Sequence, residues 1–384
     1  MTATVDSSHP VPFDAVCPLV GVEEEYLVVD PATRAVAPRA AEVLERAAAE
    51  LGEQVSTEIT KFQVEAKTSP CVRVSELEEQ LLRMRAAMAR AAREEGLAVV
   101  ASGTPVLGEI VPPPITDHPR YGVGIDTYRA LHDEQSICAG HVHVHLPDRE
   151  RAVLVSNHLR PWLPALIALT ANSPFWAGRD TGYASWRTLS WAKWPVAGPP
   201  PYFASLAEFD ELIGTLTEAG VLVDPGTIFW DVRPSARLPT LEVRVTDVPA
   251  TAGESALLAA VVRALVLVSL ERVEGGDPGP RLSAELLRAA YWQAARDGLD
   301  GYAIDPVTGR RTPAADLGTA LLRHIGPALE QTGDLETVTA RLERLRVTGT
   351  GAARQRAAHD RRGRLADVVD HLVERLMERD EPEV

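Results

Sequence analysis

Residues 138–147 read Cys-Ala-Gly-His-Val-His-Val-His-Leu-Pro, and this stretch constrains the fold and the site more than any other. Because the side chains of a β-strand alternate between its two faces, His141, His143 and His145 would all point to one face. The two valines between them would point to the other face, toward a core. Three of the ten histidines on one face of one strand predict a site for a metal ion or a charged ligand.

The composition of the chain limits its partners. A length of 384 residues with 45% hydrophobic and 24% charged residues is typical of a globular protein with a large core. A formal net charge of −15 disfavours nucleic acid, because an acidic surface repels phosphate backbones. No window approaches about 18 consecutive apolar residues, so no membrane partner is expected. The 3 dispersed cysteines and the lack of a basic, then apolar leader predict a cytoplasmic protein.

Hydrophobic periodicity predicts a mixture of strands and helices. Residues 1–16 are predicted to be a disordered tail, and residues 17–380 a single domain of the α+β class. Ser75 is predicted to open a helix that runs to about residue 95, through a capping box with Glu78. Residues 108–124 are predicted to be a proline-rich loop.

Two further strand motifs carry carboxylates. In residues 21–26 (Gly-Val-Glu-Glu-Glu-Tyr), Glu23 and Glu25 share one face about 7 Å apart, where two like charges need a cation between them. In residues 62–66 (Phe-Gln-Val-Glu-Ala), Glu65 also lies on one face of a predicted strand, and Glu58 is a nearby alternative carboxylate. An exposed acidic strand without a ligand is the alternative for each motif.

A third motif combines a carboxylate with arginines. Glu242 and Arg244 share a face of a predicted strand, and a simple salt bridge would explain the pair equally well. Arg233 and Arg237, on a stretch predicted to be irregular, favour a phosphate ligand, because forked guanidinium groups grip phosphate oxygens. Since most of the candidate ligands are carboxylates, the sequence favours Mg²⁺ with a nucleotide over zinc.

A zinc-dependent amidohydrolase is the alternative function, because alternating histidines also occur on strands of such enzymes. It needs further His or Asp ligands at other strand ends. The remaining histidines lie in tail, loop or helical patterns: His9, His118, His132, His158, His324, His359 and His371. A nucleophile formed by Cys138 with a histidine is also conceivable, although a buried strand cysteine is the commoner case.

Several motifs in matching order resemble the carboxylate–amine ligase family, the bacterial glutamate–cysteine ligase type 2 group. The resemblance covers roughly residues 18–360. Besides the motifs at 21–26 and 138–144, it includes 171–176 (Ala-Asn-Ser-Pro-Phe-Trp), 180–187 (Asp-Thr-Gly-Tyr-Ala-Ser-Trp-Arg), 230–237 (Trp-Asp-Val-Arg-Pro-Ser-Ala-Arg), 240–244 (Thr-Leu-Glu-Val-Arg) and 348–356 (Thr-Gly-Thr-Gly-Ala-Ala-Arg-Gln-Arg).

The resemblance implies a glutamine-synthetase-like catalytic fold, with a curved antiparallel sheet that holds Mg²⁺ and ATP and with helices on one side. It implies an ATP-dependent ligase, in which a substrate carboxylate forms an acyl phosphate and an amine then displaces phosphate. Glutamate and cysteine are the default small-molecule substrates. The long C-terminal helices are compatible with a homodimer.

The resemblance also implies roles for individual residues. Arg187 would bind the substrate carboxylate with Trp186 and Tyr183 beside it, although a cation–π contact of Arg187 with Trp186 or Trp191 fits the sequence equally well. His145 is expected to be incidental. The implied metal ligands are Glu23, Glu25, Glu65, His143 and Glu242; the implied nucleotide-binding residues are His141, His143, Arg233 and Arg244; and the implied catalytic arginines are Arg233, Arg237 and Arg244.

Overall fold

The computed structural model describes residue 14 and residues 16–108, 110–134, 136–305 and 307–378. The predicted tail at residues 1–16 lies outside the described residues, apart from Asp14 and Val16. The assignment of residues 17–380 to one domain stays a prediction.

The strands and helices are numbered along the chain. The strands of the described residues are β1 (Val20–Val29), β2 (Val55–Thr57), β3 (Gln63–Lys67), β4 (Ala98–Val100), β5 (Ala139–His145), β6 (Phe175–Trp176), β7 (Arg179–Asp180), β8 (Ala197–Gly198), β9 (Phe229–Trp230), β10 (Val232–Pro234), β11 (Thr240–Asp247), β12 (Tyr302–Ile304) and β13 (Arg311–Pro313). The α-helices are α1 (Ala40–Leu51), α2 (Val74–Glu94), α3 (Pro119–Tyr128), α4 (Ala130–Asp133), α5 (Arg149–Leu159), α6 (Leu163–Thr170), α7 (Trp186–Trp191), α8 (Leu206–Glu218), α9 (Ala252–Glu274), α10 (Ala284–Asp297), α11 (Ala314–Thr332), α12 (Leu335–Thr348), α13 (Gly351–Asp360) and α14 (Leu365–Arg375). Short 3₁₀ turns occupy Gly52–Gln54, Arg160–Trp162 and Pro225–Thr227.

A seven-stranded sheet organises these elements, with strand order β10-β11-β5-β1-β3-β2 and β4 paired with β1. All of its ladders are antiparallel. The histidine strand β5 lies between β1 and β11, where His141 is opposite Glu23 and His143 is opposite Glu242. With Glu25 opposite Glu65 in the β1–β3 ladder, the register brings the four polar motifs of the sequence side by side, and the predicted α+β class is confirmed.

The alternation of β5 separates a core face from a polar face. Val142 and Val144 are fully buried in the main hydrophobic cluster, together with Val22 of β1 and Val243 of β11. Helices α2, α5, α6 and α9 pack behind this face. Helix α9 is buried on almost all sides, as expected of a helix that is apolar all round. Within the described residues, no helix is both long enough and apolar enough to cross a bilayer.

Three details of the sequence prediction are wrong. Helix α2 begins at Val74, and the side chain of its N-cap residue, Arg73, makes no capping hydrogen bond, so the predicted capping box at Ser75 does not form. The predicted loop at 108–124 ends in helix α3, because His118 accepts a hydrogen bond from the Arg120 amide and a proline occupies the first helical turn. Arg233 lies in strand β10 rather than in an irregular stretch.

A buried ion pair ties the sheet to its helical layer. Glu24 of β1 and Arg85 of α2 are both fully buried, and two guanidinium–carboxylate contacts of 3.0 and 2.5 Å join them. The hydroxyls of Tyr26 and Ser255 also donate to Glu24, and Arg85 donates to the backbone oxygens of Pro249 and Ala250. The buried charges of Glu24 and Arg85 therefore compensate each other within the protein.

We expect Arg85→Met to lower the free energy of unfolding by about 3–5 kcal/mol, because it leaves the Glu24 carboxylate buried without a counter-charge. Urea denaturation would measure this loss. Arg90→Met is the matched control on the same helix, since Arg90 and its partner Glu50 are both 47% exposed. The control should change stability by about 0–1 kcal/mol, and equal effects of the two variants would contradict the assignment.

Candidate active site

A cavity of about 680 Å³ lies on the polar face of the sheet. Strands β1, β3, β5 and β11 form its floor, and residues of β2, β10, α3, α4 and α7 and of the segments 58–59, 223–229 and 235–238 line the rest. Its floor is charged because strand alternation directs the glutamates, histidines and arginines of these strands to this face. The cavity thus collects side chains that are far apart in the sequence.

Five residues that line the cavity form two overlapping groups of possible metal ligands. Glu23, Glu65 and His141 have ligand atoms within 4.8 Å of one another, and so do Glu25, Glu58 and Glu65. The pairing of β1 with β3 places Glu25 opposite Glu65, so Glu65 belongs to both groups. Four carboxylates and one imidazole are available for one or two cations.

The second group carries more negative charge than its surroundings compensate. Burial and the neighbouring Glu65 charge raise the pKa of Glu25 to about 7. Burial and the charge of Glu25 raise the pKa of Glu58 well above its usual value, and burial and Glu23 raise that of Glu65. Lys67, with Nζ 2.6 Å from a carboxylate oxygen of Glu65, provides one positive charge for the group. A bound cation would supply the rest.

Two histidines contact Glu23 in the first group. The Nδ1 atom of His141 lies 3.3 Å from Glu23 Oε2, and the Nε2 atom of His143 lies 3.7 Å from Glu23 Oε1. Burial alone would raise the pKa of Glu23, but these two imidazoles outweigh it and keep the pKa below its usual range. Burial and the charge of Arg244 lower the pKa of His141 to about 4, so this ring is neutral near pH 7.

Unused ring nitrogens support a ligand role for two of the histidines. The Nε2 atoms of His141 and His143 are buried without a hydrogen-bond partner, whereas Nδ1 of His143 contacts the Thr240 hydroxyl at 2.9 Å. His145 is buried and does not line the cavity. Strand β5 therefore directs two of its three imidazoles into the cavity.

Glu242 already has two cationic partners. Arg244 donates to one of its oxygens, and Nε of Arg233 donates to the other at 3.0 Å. Burial would raise the pKa of Glu242, but Arg244 and Arg233 outweigh it and lower the pKa. Arg237 is exposed at the rim of the same cavity. The metal role of Glu242 and the catalytic role of the three arginines stay predictions.

Arg187 has features of both roles predicted from the sequence, binding of a substrate carboxylate and a cation–π contact with a tryptophan. It is fully buried, lines the cavity, and donates to the backbone oxygens of Arg244 (3.0 Å) and Val245 (3.3 Å). Its guanidinium carbon also lies 6.0 Å from the centre of the Trp191 ring, and its Nε has no hydrogen-bond partner. One unused donor thus remains beside the cavity.

Tyr183 and Trp186 do not line the cavity. The Tyr183 hydroxyl accepts a hydrogen bond of 3.1 Å from Trp292, and the Trp186 ring packs against Tyr183 and Arg179. The assignment of these two residues to substrate binding therefore stays a prediction without support from the cavity geometry.

Several lining residues were missed in the sequence. Lys67 follows Glu65 by two positions in the same strand, so strand alternation could have revealed it. Arg120 and Tyr121 lie on helix α3, which the sequence predicted to be a loop. Cys138 is buried in the core, where burial raises the pKa of its thiol well above the usual value and argues against a nucleophile.

The donor set fits a hard cation such as Mg²⁺. Among the described residues, the two ligand groups contain four carboxylates and one histidine, and oxygen-rich sets of this kind suit magnesium better than zinc. The raised pKa of Glu25 and the unpartnered Nε2 of His141 are the features that a cation would satisfy. The further histidine ligands that a zinc hydrolase needs are not part of these groups.

Comparisons with known proteins identify relatives over most of the chain. The model of the glutamate-cysteine ligase family 2 matches residues 19–371. "Putative glutamate--cysteine ligase 2-2" of Mycobacterium sp. (strain KMS) is 48% identical over 360 residues, which cover 93% of this chain and 98% of the relative. "Putative glutamate--cysteine ligase 2-1" of Nocardia farcinica (strain IFM 10152) is 46% identical over 368 residues and covers 95% of both chains.

Two crystal structures share the fold at low sequence identity. A glutamate–cysteine ligase from Francisella tularensis in complex with AMP superposes with a TM-score of 0.69 at 12% identity, covering 97% of this chain and 91% of that one. A bifunctional glutathione synthetase from Pasteurella multocida gives a TM-score of 0.70 at 16% identity, covering 95% of this chain. This chain spans 53% of the bifunctional enzyme. The predicted fold is confirmed.

We expect Glu65→Gln to weaken divalent-cation binding at least tenfold, because Glu65 belongs to both ligand groups. Titration of the protein with Mn²⁺, followed by the electron paramagnetic resonance signal of the free ion, would measure this loss. Glu50→Gln is the matched control, since Glu50 lies outside the cavity in an exposed pair with Arg90. Unchanged binding in Glu65→Gln would rule out the shared ligand.

Proposed function

Because the chain belongs to the glutamate–cysteine ligase family 2, we propose that it joins L-glutamate to L-cysteine at the expense of ATP. The products would be γ-glutamylcysteine, ADP and phosphate. The observation that carries the proposal is the juxtaposition, in one cavity, of two carboxylate-rich ligand groups with Arg233, Arg237 and Arg244. A metal-bound polyphosphate is the kind of ligand that requires both.

The reaction would proceed in two displacements. A γ-carboxylate oxygen of glutamate attacks the γ-phosphorus of ATP, the bond from that phosphorus to the bridging oxygen breaks, and ADP leaves. The cysteine amine then attacks the acyl carbon, phosphate leaves with the former carboxylate oxygen, and the nitrogen loses a proton. Phosphoryl transfer from ATP thus converts the carboxylate oxygen, a poor leaving group, into phosphate, a good one.

The arginines of β10 and β11 would act on the phosphate. Phosphoryl transfer depends on positioning and on charge stabilisation around the transferred group. Arg233 and Arg244 both contact Glu242, so a phosphate could take over their donors from that carboxylate with little movement of the strands. Arg237, exposed at the rim, would meet the same polyphosphate from outside.

Glu23, Glu65 and His141, and separately Glu25, Glu58 and Glu65, are the residues that would hold Mg²⁺. Magnesium, when bound, offsets the negative charge of the phosphates and orients them. The neutral state of His141 leaves its Nε2 lone pair available for such a role.

Arg187 would bind a carboxylate of the glutamate substrate through its unused Nε donor. Its bonds to the backbone of β11 and its contact with Trp191 would hold the guanidinium in place. A buried, pre-oriented arginine suits a planar carboxylate better than a mobile lysine would. The two amino-acid substrates would therefore lie beside α7.

Purified protein with MgATP should release ADP only when L-glutamate and an amine acceptor are both present, and with L-cysteine as the acceptor mass spectrometry should detect γ-glutamylcysteine. A coupled ADP assay measures the rate, and each substrate omitted in turn provides the control. Absence of ADP release with every carboxylate and amine tested would contradict the ligase proposal.

Arg237→Ala should lower kcat by about 10–100-fold with little change in the KM of glutamate, because the lost charge would act on phosphate in the transition state. The rim position of Arg237 makes loss of folding a minor concern, and a thermal melt would check it. Arg288→Ala, an exposed arginine on α10, is the control and should keep full activity. A kcat for Arg237→Ala within twofold of the parent would exclude this role.

A further inference from the structure

One end of the cavity is lined by aromatic rings. Tyr128, Trp191, Trp194 and Phe229 form a cluster with Ile137, and all five line the cavity. Ring centres lie 4.7 Å apart for Tyr128 and Trp194, 5.0 Å for Trp191 and Phe229, and 5.3 Å for Trp194 and Phe229. We call this cluster the aromatic wall.

The polar atoms of the wall are largely engaged elsewhere. The Tyr128 hydroxyl donates to the Val221 oxygen at 3.0 Å, and the Trp191 indole nitrogen donates to the Phe229 oxygen at 3.2 Å. The rings therefore offer apolar surface and π-faces to a ligand rather than hydrogen bonds. Such a surface favours a flat or bulky apolar group.

His132 adds one polar group to the wall. It is 3% exposed, lines the cavity, and its Nδ1 atom is buried without a hydrogen-bond partner. Its ring meets Trp194 edge-on with centres 6.2 Å apart. Gly124 leaves room for it, because a Cβ atom there would lie 3.3 Å from His132 Cδ2. The wall thus has a single unused hydrogen-bonding position.

The aromatic wall and Arg237 lie toward opposite ends of β5, and Arg233 and Arg244 lie between them beside Glu242, which pairs with His143. Ile137 precedes the first residue of β5, whereas the turn that carries Arg237 adjoins Thr240, which pairs with His145 at the last residue. The distance along the strand from 137 to 145 is about 26 Å at about 3.3 Å per residue. The carboxylate groups lie between the two ends and nearer the wall, since Glu23 is opposite His141 and Glu25 accepts a hydrogen bond from the Ala139 amide.

This arrangement divides the cavity between the substrates. Phosphates held by the arginines would place the nucleotide toward the Arg237 turn, with the reacting phosphorus at the carboxylate groups. The aromatic wall then remains for the amine. A cysteine side chain, which is one methylene and one thiol, would cover only a small part of four rings.

We propose that the aromatic wall is the acceptor subsite, and that it selects a primary amine with an aromatic or similarly flat side chain over L-cysteine. The inference rests on the proposed ligase function and names its acceptor class. The bond-forming step is unchanged: the amine nitrogen attacks the acyl carbon and phosphate leaves. His132 would serve as a specificity-determining residue through its unused Nδ1 atom.

The first test compares acceptors on the full-length protein. With MgATP and L-glutamate held constant, kcat/KM would be measured by ADP release for L-cysteine, L-alanine, L-phenylalanine, L-tryptophan and tyramine, with product masses as confirmation. We expect at least one ring-bearing amine to exceed L-cysteine and L-alanine tenfold. If L-cysteine equals or exceeds every ring-bearing amine, the inference is overturned and the ligase function stands. If no pair releases ADP, the proposed function fails, and the inference with it.

The second test asks which substrate occupies the wall. Phe229→Leu should raise the KM of the preferred ring-bearing amine about tenfold and leave the KM values of ATP and glutamate within twofold. Tyr302→Leu, an exposed ring on β12, is the matched control and should change none of the three. A rise in the KM of ATP instead would place the adenine at the wall and overturn the inference. Trp194→Leu provides a second variant if Phe229→Leu fails to fold, as judged by thermal melting.

Discussion

Repulsion between glutamates on adjacent strands is the constraint on which this site depends. Glu24 and Glu25 are consecutive in β1 and face opposite sides of the sheet. On the core side, Arg85 and two hydroxyls satisfy Glu24 completely. On the cavity side, Glu25 lies beside Glu65 and Glu58, and burial and the Glu65 charge raise its pKa to about 7. The protein balances the structural carboxylate internally and leaves the other for a cation from solution.

The compensation of charge changes along the floor of the cavity. Glu242 is balanced by two arginines, Glu23 contacts two histidines of which His141 is neutral near pH 7, and the group around Glu65 has one lysine. The floor is therefore richest in fixed positive charge beside β10 and richest in uncompensated negative charge beside β3. The phosphates of a bound nucleotide would lie beside the arginines of β10 and β11, and their counter-cations would lie beside the glutamates of β3. This difference in charge across the sheet would orient the nucleotide.

Strand alternation allowed much of the site to be predicted from sequence. It identified the shared face of Glu23 and Glu25, the inward valines of β5 and the match between Glu242 and Arg244, because a period of two residues needs no tertiary information. The partner of Glu24 could not be predicted, since Arg85 lies 61 positions away on a helix. Arg120 was missed because a proline, which suggested a loop, instead begins helix α3. The placement of Glu58 depends on the turn between β2 and β3, and only its proximity to Glu65 along the chain could be inferred.

The two halves of the active cavity are built from different kinds of structure. The cation and phosphate positions lie on strands whose register fixes them to their neighbours, so a substitution elsewhere moves them little. The aromatic wall comes from short elements and their connections, including α3, α7 and β9, which pack on one another, and α7 also contacts β11 of the sheet. Such segments tolerate change in sequence more readily than strands do. The residues for phosphoryl transfer are therefore set by the sheet, whereas the choice of acceptor amine depends on the packing of the aromatic wall. Neither the two-residue period of the strands nor family membership determines that packing.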